Sequence, residues 1–230
     1  MTQSSPVSRK PFFAPLLAGA TSRDRILAAL GGLVGIFMVA LFCHRLLPAG
    51  SPYLAAPIGA TAVLVFAVPA SPLSQPWPVL GGNIVSALVG LAAARLIPQP
   101  EVAAGVAIGM AIFLMSLLRC LHAPGGGTAL VTALAAHGSP ASAWLFAVLP
   151  VGLNAALLVA AAMLFHRTVS GHSYPHRAAA RLAVPAPIGF HAADIDQALA
   201  DMGEAFDIGR DDLDLLLSRA EQHAAARLRA

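Results

Sequence analysis

The sequence predicts an all-α, polytopic membrane protein. Hydrophobic residues make up 57% of the 230 residues, charged residues only 11%, and the mean hydropathy is +0.74, values far from those of a soluble domain. The charges are also unevenly placed, because the only formally charged side chains between Ile26 and Phe165 are Arg45, Arg95, Glu101 and Arg119. A block this long and this apolar indicates several membrane-spanning helices.

Six apolar segments follow one another along this block, and two of them are short. Four segments, residues 26–46, 79–96, 102–118 and 142–165, approach the ~20 residues that cross a bilayer as a helix. The other two, residues 54–68 and 124–136, are led by Pro and Gly, and such segments are broken, re-entrant or mismatched to the bilayer. The distribution of arginines fits six crossings and four crossings equally well. Both arrangements place both termini in the cytoplasm.

The two short segments also suggest an internal 3+3 repeat. The motif Pro57-Ile58-Gly59-Ala60-Thr61-Ala62 is echoed by Pro124-Gly125-Gly126-Gly127-Thr128-Ala129, and Asn83 is echoed by Asn154 in the following long segment. Three crossings per half would make the halves inverted, whereas re-entrant short segments would make them parallel. Chance similarity in an Ala- and Gly-rich sequence is the competing explanation.

The regions outside the apolar block complete a four-part organisation. We expect a cytoplasmic N-terminal tail (1–22), a transmembrane domain (23–168), a juxtamembrane linker (169–190) and a cytoplasmic helical tail (191–230). Nine of the eleven acidic residues lie between Asp194 and Glu221, and two amphipathic helices are predicted at 194–205 and 210–228. The basic residues flank membrane segments, which indicates topology signals and contact with lipid rather than a nucleic-acid surface.

The Cys, His and acidic residues of this sequence do not have the spacing typical of an enzyme active site or a metal site. Cys43 and Cys120 have no paired spacing, so neither a disulfide nor a metal or redox site is predicted. Glu101 is the only acid in the membrane block, which excludes a paired-carboxylate active site there. His172 and His176 have i, i+4 spacing, but Pro175 breaks the helix that would align them on a metal. We therefore predict no cofactor and no enzymatic activity.

The breaks at the two short segments are the candidate binding site. A helix start leaves backbone N–H groups unpaired, and glycines let an anion approach them. Repeat-built transporters aim such half-helix starts at anionic groups. The candidate residues are Pro57, Gly59, Thr61, Gln75, Asn83, Arg119, His122, Pro124, Gly125, Gly126, Gly127, Thr128 and Asn154.

Structural explanations compete with ligand contact at several of these positions. Glycines in membrane helices allow close helix packing, and the two asparagines could bond neighbouring helices without any ligand. Arg119 could extend to the membrane surface. His122 could form a structural hydrogen bond to the backbone.

These motifs resemble the HPP family of integral membrane proteins, which is named for a His-Pro-Pro motif leading into Gly-Gly-x-Thr-Ala. The corresponding stretch here is His122-Ala123-Pro124-Gly125-Gly126-Gly127-Thr128-Ala129-Leu130. The similarity also includes Ile58 to Leu64, Ser71 to Pro76 and Gly81 to Gly90, and together it covers about residues 25–168. The chain looks like a short bacterial form that ends before the CBS domains that some members carry, which implies the inner membrane.

The sequence departs from the family pattern at three places. Ala123 replaces the middle proline, Asn83 stands where His is common, and Trp77-Pro78 stand where Arg and a small polar residue are usual. Loss of that Arg removes a positive charge suited to an anion. Family members in plant plastids are associated with nitrite movement, so the resemblance implies transport of a nitrite-like solute.

Two hypotheses about function therefore stand side by side. The leading one is a transporter or channel for a small, anionic solute; without an ATP-binding motif, movement would be secondary or passive. The alternative is a non-transporting membrane scaffold or sensor that acts through its cytoplasmic tail. The sequence leaves open whether the chain forms a homo-oligomer.

Overall fold

The computed structural model describes residues 21–47, 54–136, 144–177, 192–202 and 207–229, and these ranges are helices joined by short connections. The helices of the apolar block are α1 (Ser22–Leu46), α2 (Ile58–Ala67), α3 (Pro76–Leu96), α4 (Pro100–Leu117), α5 (Ala123–Ala135) and α6 (Trp144–Ser170). Two further helices, α7 (Ala192–Met202) and α8 (Arg210–Arg229), lie in the tail. The predicted all-α class is confirmed.

Four of these helices, α1, α3, α4 and α6, are long and apolar enough to cross a membrane. The helix α2 has 10 residues and α5 has 13, which at ~1.5 Å per residue gives about 15 and 20 Å. Neither reaches the ~30 Å thickness of a hydrocarbon core. The two short Pro/Gly-led segments are therefore short helices, as their sequences indicate.

Local sequence signals explain where the helices begin. Thr21 and Asp24 form a capping box at the start of α1, which pairs amides that a helix start leaves free. Pro76 and Pro100 are the first residues of α3 and α4, where a missing N–H costs nothing. Inside α6, Pro150 lies in a π-helical stretch, Ala147–Gly152, because proline cannot continue the regular ladder of hydrogen bonds.

The two ends of the bundle can be identified from contacts between helix ends. Asp24 Oδ1 lies 3.6 Å from His172 Nε2, so the start of α1 and the end of α6 share what we call the first end. His176 donates its backbone N–H to Gln75 Oε1 over 2.8 Å, which places the start of α3 at this end too. At the second end, the Arg95 guanidinium stacks 4.5 Å from the Trp144 ring.

These contacts also give the direction of the short helices. The helix α2 follows α1 and leads back to the first end, where α3 begins. At that end Trp77 Nε1 of α3 donates to Leu118 O just after α4, and α5 starts from there. The helix α5 runs beside α3 in the same direction, since Gly82 lies near His122 and Gly90 near Ala129 and Thr132.

Each short helix packs against two long helices, one of them from the other half of the chain. The helix α2 packs against α1 and α6, whereas α5 packs against α4 and α3. Large apolar residues such as Val39, Val65 and Leu158 fill the first group. Alanines of α4 and α5 fill the second, which allows the close approach common in membrane helix pairs.

The tail helices α7 and α8 correspond to the two predicted amphipathic helices. The helix α7 begins two residues before the predicted 194–205 segment, of which residues 203–205 lie outside the described residues, and α8 extends the predicted 210–228 segment by one residue. Pro175 lies outside any helix, as expected. His172 and His176 have different partners, Asp24 and Asp212. Within the described ranges no group of three or more His, Cys, Asp or Glu side chains could hold a metal. The four-part division of the chain stays a prediction.

Candidate functional site

The starts of α2 and α5 lie side by side. Thr61 Oγ1 is 3.0 Å from His122 Nε2, and a Cβ built on Gly127 would lie 3.7 Å from the Pro57 ring. Pro57, at the start of α2, thus faces Gly127, which lies further along α5. Thr61, further along α2, faces His122 at the start of α5. The first turns of the two helices therefore run past each other in opposite directions.

His122 connects this pair of helices to a third segment. Its side chain is fully buried, and Nδ1 lies 2.9 Å from Leu73 O. A carbonyl can only accept, so Nδ1 carries a hydrogen. In the neutral imidazole, Nε2 then accepts from the Thr61 hydroxyl, which has Pro57 O at 3.4 Å as a second acceptor. His122 thus joins α2, α5 and the turn before α3.

Thr128 and Asn83 form a second polar contact, between α5 and α3. The Thr128 hydroxyl donates to Asn83 Oδ1 over 2.7 Å, and Asn83 Nδ2 donates to Val79 O over 2.8 Å. Both side chains are buried. The hydrogen bonding between helices that competed with ligand contact at Asn83 is therefore present.

Asn154 holds the chain just before α2. Its Oδ1 accepts the Ala55 N–H over 2.8 Å, and its Nδ2 donates to Cys43 Sγ over 3.0 Å. Asn154 thus ties α6 to α1 and to the approach to α2.

Gln75 acts on the turn between α2 and α3, residues 68–75. Its Nε2 donates to Pro69 O and Ser71 O, both over 2.9 Å. Its Oε1 accepts the His176 N–H. Gln75 therefore fixes the shape of the turn that presents Leu73 O to His122.

The glycines of the two motifs have different surroundings. A Cβ on Gly125 would lie 2.7 Å from Ser86 Oγ, whereas a Cβ on Gly126 would meet nothing within 4 Å. Gly125 is therefore required for packing, and Gly126 borders open space. Gly59 faces away from α5 and lines an apolar groove of about 340 Å³ beside Gly32 of α1. Pro124 is buried in the first turn of α5.

Arg119 lies outside the buried group. It is exposed and has a φ of +54°, a left-handed conformation that usually requires glycine. Two hydrogen bonds, from Cys120 N to Met115 O and from Arg119 N to Ser116 O, form a Schellman motif that ends α4. The guanidinium remains at the surface of the first end.

The sequence reasoning missed two acceptor carbonyls, one in α2 and one in the turn that follows it. Val65 O would pair with the amide of residue 69, which is a proline, and it instead lies 2.8 Å from His166 Nε2. Leu73 O accepts from His122. Pro69, four residues after Val65, could have indicated that Val65 O lacks its helical donor. Nothing comparable in the sequence indicates that Leu73 O accepts from His122.

The comparisons with known proteins fit this architecture. The model of the HPP transmembrane region matches residues 18–175, which is well over half of the sequence. The chain belongs to the HPP family. Two transmembrane proteins of Dictyostelium discoideum are 31% and 32% identical to this HPP protein over 151 residues, which is 64% of this chain. These residues cover 48% and 53% of the relatives, so the chain spans about half of their length. No solved structure matches.

Family membership confirms the resemblance that the motifs indicate. The relatives are described only as transmembrane proteins, and neither they nor the family description points to an enzymatic activity. The three departures from the HPP pattern occupy different environments. Ala123 and Trp77 are exposed, and Asn83 is buried and bonded to Thr128. At the position where the resemblance implies an arginine, the indole of Trp77 donates to Leu118 O.

Proposed function

We propose that this HPP protein is a transporter or channel for a small, nitrite-like anion whose path passes the paired starts of α2 and α5. The observation that carries the proposal is the antiparallel contact of the two first turns, with Thr61 Oγ1 and His122 Nε2 3.0 Å apart. Paired half-helix starts of this kind serve as anion sites in transporters.

The electrostatics of the interior favour an anion over a cation. A helix start carries a positive partial charge of about half an elementary charge, and two starts lie together here. Among the described residues of the apolar block, the buried polar side chains are hydroxyls, amides and imidazoles, without a carboxylate. A cation would have no negative ligand in this interior, whereas an anion would meet two positive helix ends.

Access to the site is provided at Gly126. The space beside it is open, and the residue is half-buried, so a solute can approach the backbone of the first turn of α5. Thr128, Asn83 and Asn154 are already bonded to protein groups. They support the helices. Gly125 N–H is bonded to His122 O, and the amides of Ile58 and Gly59 are bonded to Ala55 O and Ala56 O, so the proposed ligand contacts fall to the other backbone amides around Gly126 at the start of α5.

We further propose that both short segments carry the chain through the bilayer, which makes six crossings and inverts the two halves. Two features support this. The helices α2 and α5 lead in opposite directions, and each packs against a long helix of the opposite half. Because basic residues favour the cytoplasmic side, the first end with both termini would face the cytoplasm of the bacterial inner membrane.

The decisive experiment measures nitrite flux into proteoliposomes for wild type, Gly126→Leu and Gly126→Ala. Leucine would fill the open space and block the approach to the amides, so flux should fall at least ~10-fold, a loss of about 1.4 kcal/mol in transition-state stabilisation. Alanine should preserve folding, because it meets no neighbour and is the better helix former.

The matched control is Gly105→Leu. Gly105 of α4 is also a helical glycine with nothing within 4 Å of its Cβ position, but it is exposed and lies near the start of α4, the opposite end of that helix from His122. Flux should stay at the wild-type value. Equal flux in protein-free vesicles, or an unchanged flux in folded Gly126→Leu, would contradict the proposed path.

A further inference from the structure

The C-terminal segment contacts the same turn that holds His122. The Ser71 hydroxyl donates to Asp207 Oδ1 over 2.7 Å. This bond joins the turn of residues 68–75 to the short segment that leads into α8. On the other side of this turn, Leu73 O is bonded to His122. One short turn therefore lies between the tail and the candidate site.

A second contact strengthens the attachment of α8. His176 Nε2 lies 2.9 and 3.0 Å from the two carboxylate oxygens of Asp212, so the ring N–H is shared by both. The backbone N–H of the same His176 bonds to Gln75 Oε1. Asp212 of α8 thus holds His176, and His176 holds Gln75, the last residue of the 68–75 turn.

Tyr174 adds a buried contact to this assembly. Its hydroxyl donates to Ser74 O over 2.9 Å, and burial raises the pKa of the phenol above its usual range, so the group stays a neutral donor. Ser71, Ser74 and Gln75 are therefore each bonded to the segment that follows α6 or to the tail. The turn is held from the outside at three positions.

The bonds of His122 show what this arrangement does at the site. His122 lies between the turn, through Leu73 O, and the first turn of α2, through Thr61. Its side chain is fully buried and bridges the place where the two helix starts meet. Opening a path there requires at least one of these two bonds to break, and a turn that is held rigidly opposes this.

We propose that residues 207–229 are an intramolecular latch that holds the 68–75 turn and thereby keeps the site around His122 closed. The latch regulates the site of the proposed function and so rests on it. Undocking of the segment, by a partner or another event at the first end, frees the turn and lets His122 leave Leu73 O. The latch contacts are Ser71 with Asp207 and His176 with Asp212.

The test uses the full-length protein in nanodiscs, with hydrogen–deuterium exchange as the first readout. In the Asp207→Ala/Asp212→Ala variant, we expect amides of residues 71–75 and 122–127 to exchange faster, by a factor on the order of five. This factor is the low end of the range typical for energetic coupling between two sites of a protein. The control is Asp211→Ala, since the neighbouring carboxylate on α8 is exposed. It should leave both segments at the wild-type rate.

Nitrite flux into proteoliposomes is the second readout. The double variant should raise flux by a similar factor, and Ser71→Ala, which removes one contact from the other side, should raise it by less. Unchanged exchange in residues 71–75 would overturn the latch, and faster exchange with unchanged flux would overturn its regulatory role. If wild type and all variants carry no flux, the proposed function fails, and the latch stands only if residues 122–127 lose protection together with the turn.

Discussion

The contact between Thr61 and His122 can be measured as a coupling energy, and the proposed site depends on it. Thr61→Val removes the hydroxyl with little change of shape, and it leaves His122 Nε2 buried without its 3.0 Å partner. An unpaired buried group costs about 1–3 kcal/mol. Interhelical bonds in membrane proteins average only ~0.6 kcal/mol. We therefore expect Thr61→Val to destabilise the fold by about 1 kcal/mol.

His122→Ala should cost more because it removes two hydrogen bonds and a buried ring. Leu73 O would lose its 2.9 Å donor, whereas the Thr61 hydroxyl could turn to Pro57 O at 3.4 Å. The unpaired carbonyl contributes about 1–3 kcal/mol, and the cavity adds to it, so we expect a total of about 2–4 kcal/mol. In the double variant the Thr61 effect should largely vanish, which gives a coupling of about 0.5–1.5 kcal/mol.

The assay is reversible unfolding in mixed micelles of wild type, both single variants and the double variant. Thr132→Val provides the control, because Thr132 is equally buried but donates within its own helix, to Thr128 O over 2.7 Å. Its coupling to His122→Ala should be near zero. A Thr61–His122 coupling below ~0.3 kcal/mol, within the range of independent sites, would refute the meeting of the two helix starts.

Three further predictions concern other parts of the chain. Arg119→Gly should raise the free energy of unfolding by about 1 kcal/mol by relieving the left-handed φ of +54°, and thermal denaturation checks this; a loss of stability would show that the exposed side chain contributes packing. Asn154→Leu should cost about 1–3 kcal/mol in denaturant titrations, because it leaves the buried Ala55 N–H without its acceptor, and a neutral result would contradict this role. A single cysteine at Ala70, an exposed position in the turn after α2, in a variant without Cys43 and Cys120, should react with a membrane-impermeant thiol reagent from the side of the N-terminus if α2 carries the chain across; labelling from the opposite side would indicate a re-entrant segment.

Composition and segment length were sufficient to predict the helices of the membrane block. Helix formation there depends on local apolarity and on prolines at the first turns, and both can be read directly from the sequence. The boundaries of α5 differ by one residue at each end from the predicted 124–136 segment. Which helices pack together was not predictable, because apolar surfaces in lipid have no strong preference among partners, and close small-residue packing decides instead.

The sequence predicted the helix starts of the candidate site but not the contacts between them, and binding of a solute there stays a prediction. The Pro/Gly pattern indicated starts at Pro57, which is the N-cap residue of α2, and at Pro124, which lies in the first turn of α5. It gave no information about the antiparallel crossing that brings Thr61 to His122, since that geometry follows from the packing of four other helices. Gly125 and Gly126 look equivalent in sequence, yet one is packed against Ser86 and the other borders open space.

The polar residues of this interior show why pairing alone cannot identify a ligand site. A buried amide or hydroxyl in an apolar environment must have a partner, so the sequence predicts that Asn83 and Asn154 are bonded without saying to what. Both are bonded to protein in this structure, and substituting either would test stability before it tests function. Under the proposed function, the solute contacts are backbone amides at the start of α5 other than that of Gly125, which is bonded to His122 O, and no side-chain deletion removes such groups. For this reason the added volume at Gly126 tests the function more directly than the loss of any polar side chain.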